Sequence, residues 1–217
     1  MSFPTLPAVP TRDCPHCPRL VAFREAQRAV RPAWFNSPVP SFGDHRAQLL
    51  IVGLAPGLKG ANRTGRPFTG DFAGGLLYET LRKFGFAEGD YDARPDDGLV
   101  LLRARITNAV RCVPPQNKPR PDEIATCARF LAAEITSLPD IRAILALGAI
   151  AHQAVLAALG LRRGRFPFGH GRLHPLPDGT LLADSYHCSR YNTSTRKLTI
   201  EMFEAVFVVL AQRLSDP

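Results

Sequence analysis

Apolar residues run along this chain in two rhythms. Short segments rich in apolar residues recur at Gln48–Leu54, Ala104–Val110, Arg142–Leu147 and Leu181–Tyr186. Runs of this kind predict strands buried on both faces. Between them the apolar positions fall three and four apart. Leu76, Leu77, Thr80 and Leu81 follow that spacing and predict a helix over Gly74–Phe84. The same spacing predicts helices over 19–31, Pro121–Leu138, Ala149–Leu159 and Leu198–Leu214. Pro121 suits a first helical turn, and Asp122 and Glu123 stand near its positive end. Strand then helix, repeated four times, argues an α/β fold: three layers, α/β/α, around a central, mainly parallel four-stranded sheet. No internal repeat or low-complexity linker interrupts it, so residues 1–217 are expected to form one domain.

Sheets of this class bind ligands beyond the carboxyl ends of their strands. Three stretches fall there: GLAPGLKGANRTGRPFTGD (53–71), Asn108, and YHCSRYNT (186–193). The first is glycine-rich but lacks the spacing of a phosphate cradle. Asp71, its only acid, can orient or deprotonate a water; it can equally cap the following helix. Phe68 can stack on a planar ligand or join the core. The Asn108 amide donates and accepts at once, which suits a nucleobase edge; a strand-end turn residue is the other reading. His187 opens a polar, basic loop, where an imidazole can donate to a developing negative charge.

Charge narrows the partner. With 27 Lys and Arg against 19 Asp and Glu, the formal net charge is +8. That favours a polyanion, nucleic acid first, over an uninvolved basic surface. A run of about 18 apolar residues, the mark of a membrane span, is missing, as is a secretory signal, so a reducing, cytoplasmic setting is expected. The five cysteines then read as thiols or metal ligands rather than disulfides. Cys14 and Cys17 form a CPHC pair, and Cys112 and Cys127 follow singly. Together they can build one tetrathiolate site for an iron-sulfur cluster or a structural zinc, with buried structural cysteines as the alternative. Zinc sites more often use two close pairs, so this layout leans toward iron-sulfur. Cys188 stands apart.

Gly53-Leu54-Ala55-Pro56-Gly57 after a strand, and His187-Cys188-Ser189 after the last strand, resemble the two signature motifs of the uracil-DNA glycosylase superfamily. GANRTGRPFTGDFAG, HCSRYNTSTRKLT and the cysteine layout resemble its family 5, iron-sulfur members. The resemblance spans nearly the whole chain. It implies a monofunctional hydrolase of base excision repair, which flips uracil from DNA and cleaves its N-glycosidic bond to leave an abasic site.

Carried over residue by residue, the resemblance implies that Gly53, Ala55, Gly57, Phe68 and Asn108 bind the base. Phe68 stacks on it and Asn108 reads its edge. Ala55 stands where many relatives carry a polar, water-activating residue, a departure that family 5 shares and that moves the role to Asp71. His187 stabilises the departing base. Arg63, Ser189, Arg190, Tyr191 and Asn192 face DNA, with Arg190 and Tyr191 where relatives insert a wedge. Cys188 replaces a proline common in relatives. Cys14, Cys17, Cys112 and Cys127 match the ligands of a structural 4Fe-4S cluster that ties in the N-terminal arm, with no organic cofactor. The implied protein is a nucleoid-associated monomer acting on double- or single-stranded DNA. Ala55 also leaves open a non-catalytic, metal-bearing nucleic-acid binder on the same fold.

Overall fold

The computed structural model describes residues 9–215; the outermost residues of the expected 1–217 domain lie outside that range. In chain order the elements are α1 (Pro18–Val30), β1 (Phe42–Gly43), β2 (Leu49–Gly53), α2 (Ala61–Thr64), α3 (Phe72–Lys83), β3 (Ala87–Glu88), β4 (Val100–Leu101), β5 (Ala104–Asn108), α4 (Pro121–Thr136), β6 (Ala143–Leu147), α5 (Ala149–Ala158), β7 (Leu173–Pro175), β8 (Leu181–Ser185), α6 (Arg190–Ser194) and α7 (Ile200–Ser215). Short 3-10 turns lie at 115–117 and 163–165.

The four expected strands are the parallel heart of the sheet, in the order β5-β2-β6-β8. The sheet itself has six strands rather than four. β1 and β7 extend its two ends as antiparallel edges on β5 and β8. They are two and three residues long, too short for a period to register in sequence. A separate β3–β4 ladder and the short helices α2 and α6 escaped for the same reason. The nine expected elements end within about two residues of their predicted bounds, the usual scatter at frayed termini.

Alternation along each strand divides the core. Leu49, Ile51, Ile106 and Leu145 point to one face, against Leu77 and Leu81 of α3 and Phe203 and Phe207 of α7. Leu50, Val52, Ile144 and Leu182 point to the other, against Leu131 and Ile135 of α4 and Val155 of α5. All of these are buried, each contributing roughly 1.5–3 kcal/mol. The result is the expected three-layer α/β/α arrangement.

A third, smaller cluster holds Cys14, Leu20, Val110, Cys127 and Phe130, with Cys17, Cys112 and Ala55 packed on it. It joins α1 and α4 to the chain leaving β5. The Arg19–Glu123 pair at 2.7 Å reinforces that joint. Glu123 also accepts from the Arg120 amide at 2.7 Å, fixing the start of α4 at Pro121.

Candidate active site

Parallel pairing sets Gly53 opposite Asn108 at the ends of β2 and β5. Backbone bonds continue past both, Ala109 N to Gly53 O and Val110 N to Leu54 O, each 2.9 Å. Above these strand ends lies a cavity of about 400 Å³. Ala55, Gly57, Phe68, Asp71, Asn108, His187, Ser189 and Arg190 all line it. The three stretches singled out in sequence therefore meet at one place.

Gly53 makes room for two of them. A Cβ there would lie 2.5 Å from Asn108 Oδ1 and 2.7 Å from Phe68 Cζ. Asn108 is buried, and among the described residues its carboxamide has no hydrogen-bond partner; it faces the cavity. Phe68 sits at φ +53°, a left-handed conformation that a bulky residue holds only under tertiary constraint. Its ring stacks on that of His187, centroids 5.8 Å apart and planes at 27°.

Asp71 is both a helix cap and a cavity carboxylate. Its Oδ1 accepts from Gly74 N at 3.2 Å as the N-cap of α3. Its Oδ2 lies against the backbone of Gly60, where a Cβ would come within 2.5 Å. Burial raises its pKa from the ordinary aspartate value, against the pull of the Gly74 and Ala73 amides. A carboxylate so placed is a stronger base than one in water.

Burial pushes the His187 pKa down to about 4, so the ring is neutral near pH 7. His187 lines the cavity, and a neutral imidazole still carries one N–H that can donate to an anion. Cys188 beside it is wholly buried, and its thiol donates to Ala73 O at 3.5 Å. Ser189 caps α6 by accepting from Asn192 N at 3.4 Å. The Asn192 amide is engaged within the protein, donating to His187 O at 2.8 Å. Arg190 lies 5.1 Å over the Phe72 ring at the cavity rim. Tyr191 is 74% exposed. Arg63 is exposed, outside the cavity lining, with Nε on Lys59 O at 2.9 Å.

A family model described as the Uracil DNA glycosylase superfamily matches residues 40–211. The chain belongs to that superfamily. It is 50% identical over 208 residues to a type-5 uracil-DNA glycosylase of Thermus thermophilus, covering 93% of this chain and 94% of the relative. It is 44% identical over 203 residues to a type-5 uracil-DNA glycosylase of Mycobacterium bovis, covering 89% and 75%. It is 37% identical over 198 residues to a type-5 uracil-DNA glycosylase of Pyrobaculum aerophilum, covering 89% and 86%.

The cavity of this superfamily member includes a residue that its motifs did not announce. Asn117 reaches it from the loop between Cys112 and Cys127, its Oδ1 accepting from Leu58 N at 3.4 Å. Gln116 and Asn117 both adopt φ +56°; the PPQN turn signal was the one clue. Pro56 of the first motif and Ala61 and Phe72 of the glycine-rich stretch also line the wall.

Four cysteines meet beside the cavity, with Ala55 between the two sites. Cys17 is pushed up to about 11 and Cys112 to about 12, by burial first and then by the neighbouring cysteines. Metal binding would supply the compensation that thiolates need there. Among the described residues no three of these sulfurs lie within 4.8 Å of one another. A zinc tetrathiolate needs sulfurs ~3.8 Å apart, from Zn–S bonds of about 2.3 Å. Arg111 N donates to Cys127 Sγ at 3.4 Å, and Arg24 Nη1 lies 3.9 Å from Cys112 Sγ. Both arginines are buried, and among the described residues the Nε atom of each has no hydrogen-bond partner. The buried Arg24 guanidinium and the Arg111 backbone amide against these thiols fit an anionic iron-sulfur cluster.

His152, His174 and Asp184 do gather their ligand atoms within 4.8 Å. Their bonds are already made: His152 Nδ1 to Asp184 Oδ1 at 2.6 Å, His152 Nε2 to Phe166 O at 2.8 Å, and His174 Nε2 to Asp184 Oδ2 at 3.1 Å. Both His152 nitrogens face oxygens, an arrangement that favours the protonated ring. Burial works against that charge, and the Asp184 carboxylate outweighs it, raising the pKa. The group braces β8 beneath the second motif.

Proposed function

We propose that the protein is a monofunctional uracil-DNA glycosylase of the type-5 class, a DNA repair hydrolase that releases uracil and leaves an abasic site. The observation that carries this reading is the unpartnered Asn108 carboxamide, facing a cavity shared with Phe68, Asp71 and His187. Uracil presents N3–H as donor and O4 as acceptor. One amide can answer both. Duplex DNA hides the glycosidic bond, so the base must be extruded, at a cost of a few kcal/mol. Contacts from the basic surface to phosphates offset that cost.

In the extruded state the Phe68 ring stacks on the base and Asn108 reads its edge. The C1′–N1 bond breaks with its electron pair going to uracil, leaving an oxocarbenium-like sugar. His187, as a neutral donor, hydrogen-bonds the developing anion. One such donor contributes about 3 kcal/mol, or 10²-fold or more in rate. Asp71 Oδ2 places the attacking water and takes its proton as oxygen bonds to C1′. Ala55 offers no polar group for that task, which leaves Asp71 as the acid of the cavity. Arg63, Ser189, Arg190 and Tyr191 are the proposed DNA-facing side chains, with Asn192 holding the His187 loop from within.

Cys14, Cys17, Cys112 and Cys127 would hold a 4Fe-4S cluster. It supplies a structural cross-link between the N-terminal arm, α4 and the loop carrying Asn117, and no step of the hydrolysis. The protein acts as a monomer on uracil in double- or single-stranded DNA, and in the cytoplasm it would associate with the nucleoid. Among the described residues no helix is long and apolar enough to cross a membrane. The deciding experiment incubates the protein with a uracil-containing oligonucleotide and looks for alkali-labile sites. Strand breaks at the uracil position are expected. Tight DNA binding without them would favour the non-catalytic binder instead.

A further inference from the structure

Residues 89–99, between β3 and β4, add no strand to the central sheet. Two of their side chains nevertheless grip the loop that carries Phe68. Tyr91 Oη donates to the Phe68 carbonyl at 3.1 Å and accepts from Gly70 N at 3.4 Å. One hydroxyl thus bridges the peptide groups on either side of Thr69. Asp97 forms a two-point ion pair with Arg66, at 2.8 and 2.7 Å, and both side chains are buried. The same carboxylate accepts from Asp92 N at 3.0 Å and Leu99 N at 3.1 Å, so it also shapes the segment presenting Tyr91. Arg66 continues the chain through Nε to Thr69 Oγ1 at 2.7 Å. The Tyr91 ring packs on that of Tyr78, centroids 4.7 Å apart, and Tyr78 Oη donates to Pro67 O at 2.6 Å.

These contacts meet a specific need. A phenylalanine at φ +53° persists only where its surroundings impose the conformation. Among the described residues the Tyr91 hydroxyl is the one donor to the Phe68 carbonyl. We infer that Tyr91 is a positioning residue for base excision: through the Phe68 backbone it holds the aromatic ring where the flipped base stacks, and Asp97 holds Tyr91 in place. This rests on the base-stacking role proposed for Phe68.

Tyr91→Phe keeps the ring packed on Tyr78 and removes only the hydroxyl. With the full-length protein in excess over a uracil-containing oligonucleotide, its excision rate should fall roughly tenfold or more, because misplacement by about 1 Å can cost ~10²-fold. Affinity for the same oligonucleotide without uracil should hold. Free uracil should inhibit the variant more weakly than the wild type. A partly misfolded preparation would instead lower the fraction that binds DNA and leave the rate and the uracil inhibition constant of the active fraction unchanged; that pattern overturns the inference. Phe68→Ala is run alongside. Wild-type rate and uracil inhibition in Tyr91→Phe, beside an impaired Phe68→Ala, overturn the role of Tyr91 alone. An unimpaired Phe68→Ala overturns the stacking role and the inference with it.

Discussion

Gly53 and Asn108 stand in register at the ends of β2 and β5, so close that a side chain on Gly53 would begin 2.5 Å from Asn108 Oδ1. The Phe68 ring fills the rest of that space, at 2.7 Å. Gly53→Ala should therefore displace both base-contacting groups. Overpacking of this kind costs about 1–3 kcal/mol of stability, and excision should fall by roughly 10²-fold. Thermal unfolding and single-turnover rates check the two effects separately. Normal excision would show that neither Asn108 nor Phe68 needs its present place.

Asn108→Asp tests how the base is read. A carboxylate only accepts, so the pair of bonds offered to uracil loses its donor. Uracil excision should drop strongly, with cytosine becoming relatively less disfavoured. Competition between uracil- and cytosine-containing oligonucleotides measures the ratio, and unchanged uracil activity removes Asn108 from the pocket.

Asp71→Asn separates the two oxygens of Asp71. Asn caps a helix about as well as Asp, so unfolding should barely change. Excision should fall by about 10²-fold or more if Oδ2 is the base. The pH profile gives an independent sign. Asp71 must be ionised and its pKa is raised by burial, so activity should fade on acidification sooner than an unperturbed aspartate would make it. His187, pushed down to about 4, is neutral near pH 7. The acid limb should vanish in Asp71→Asn; a limb that persists unchanged assigns it to another group.

Purified without oxygen, the protein should be brown and contain iron and sulfide. Replacing any one of Cys14, Cys17, Cys112 or Cys127 with Ser should deplete the iron. Cys188→Ser should not, since that thiol is turned to Ala73 O. Colourless protein with stoichiometric zinc would refute the cluster while keeping the four ligands.

Tyr191 is exposed at the start of α6, two residues beyond Ser189 at the cavity wall. If it enters the space left by the base, Tyr191→Ala should slow excision from paired uracil more than from single-stranded uracil, which costs less to extrude. Equal slowing on both substrates would make it a packing residue.

Much of the molecule is legible in its order of residues. LLIVG and AILAL are local apolar runs, and burial on both faces follows from their continuity; ARITN and LLADS are short apolar-led segments whose polar residues the fold also buries. The motifs ending at Gly57 and Ser189 sit directly after strands, so the carboxyl-end rule alone brings them together. Local pattern also located Asp71, Phe68, Asn108 and His187. What it could not do was apportion atoms. Cap and base were rival readings of Asp71; in the folded chain Oδ1 makes the cap and Oδ2 lies by Gly60 on a residue that lines the cavity, so the two readings are compatible. The edge strands β1 and β7 exist only because β5 and β8 offer them free edges. The meeting of Cys14, Cys17, Cys112 and Cys127 in one cluster is likewise a property of α1, α4 and the β5 exit, not of the CPHC spacing. Tyr91 and Asp97 reach the 66–70 loop across 21 to 31 positions of sequence, and Asn117 reaches Leu58 across 59. Contacts at such separations leave no periodicity behind; they are decided when packing closes the chain on itself.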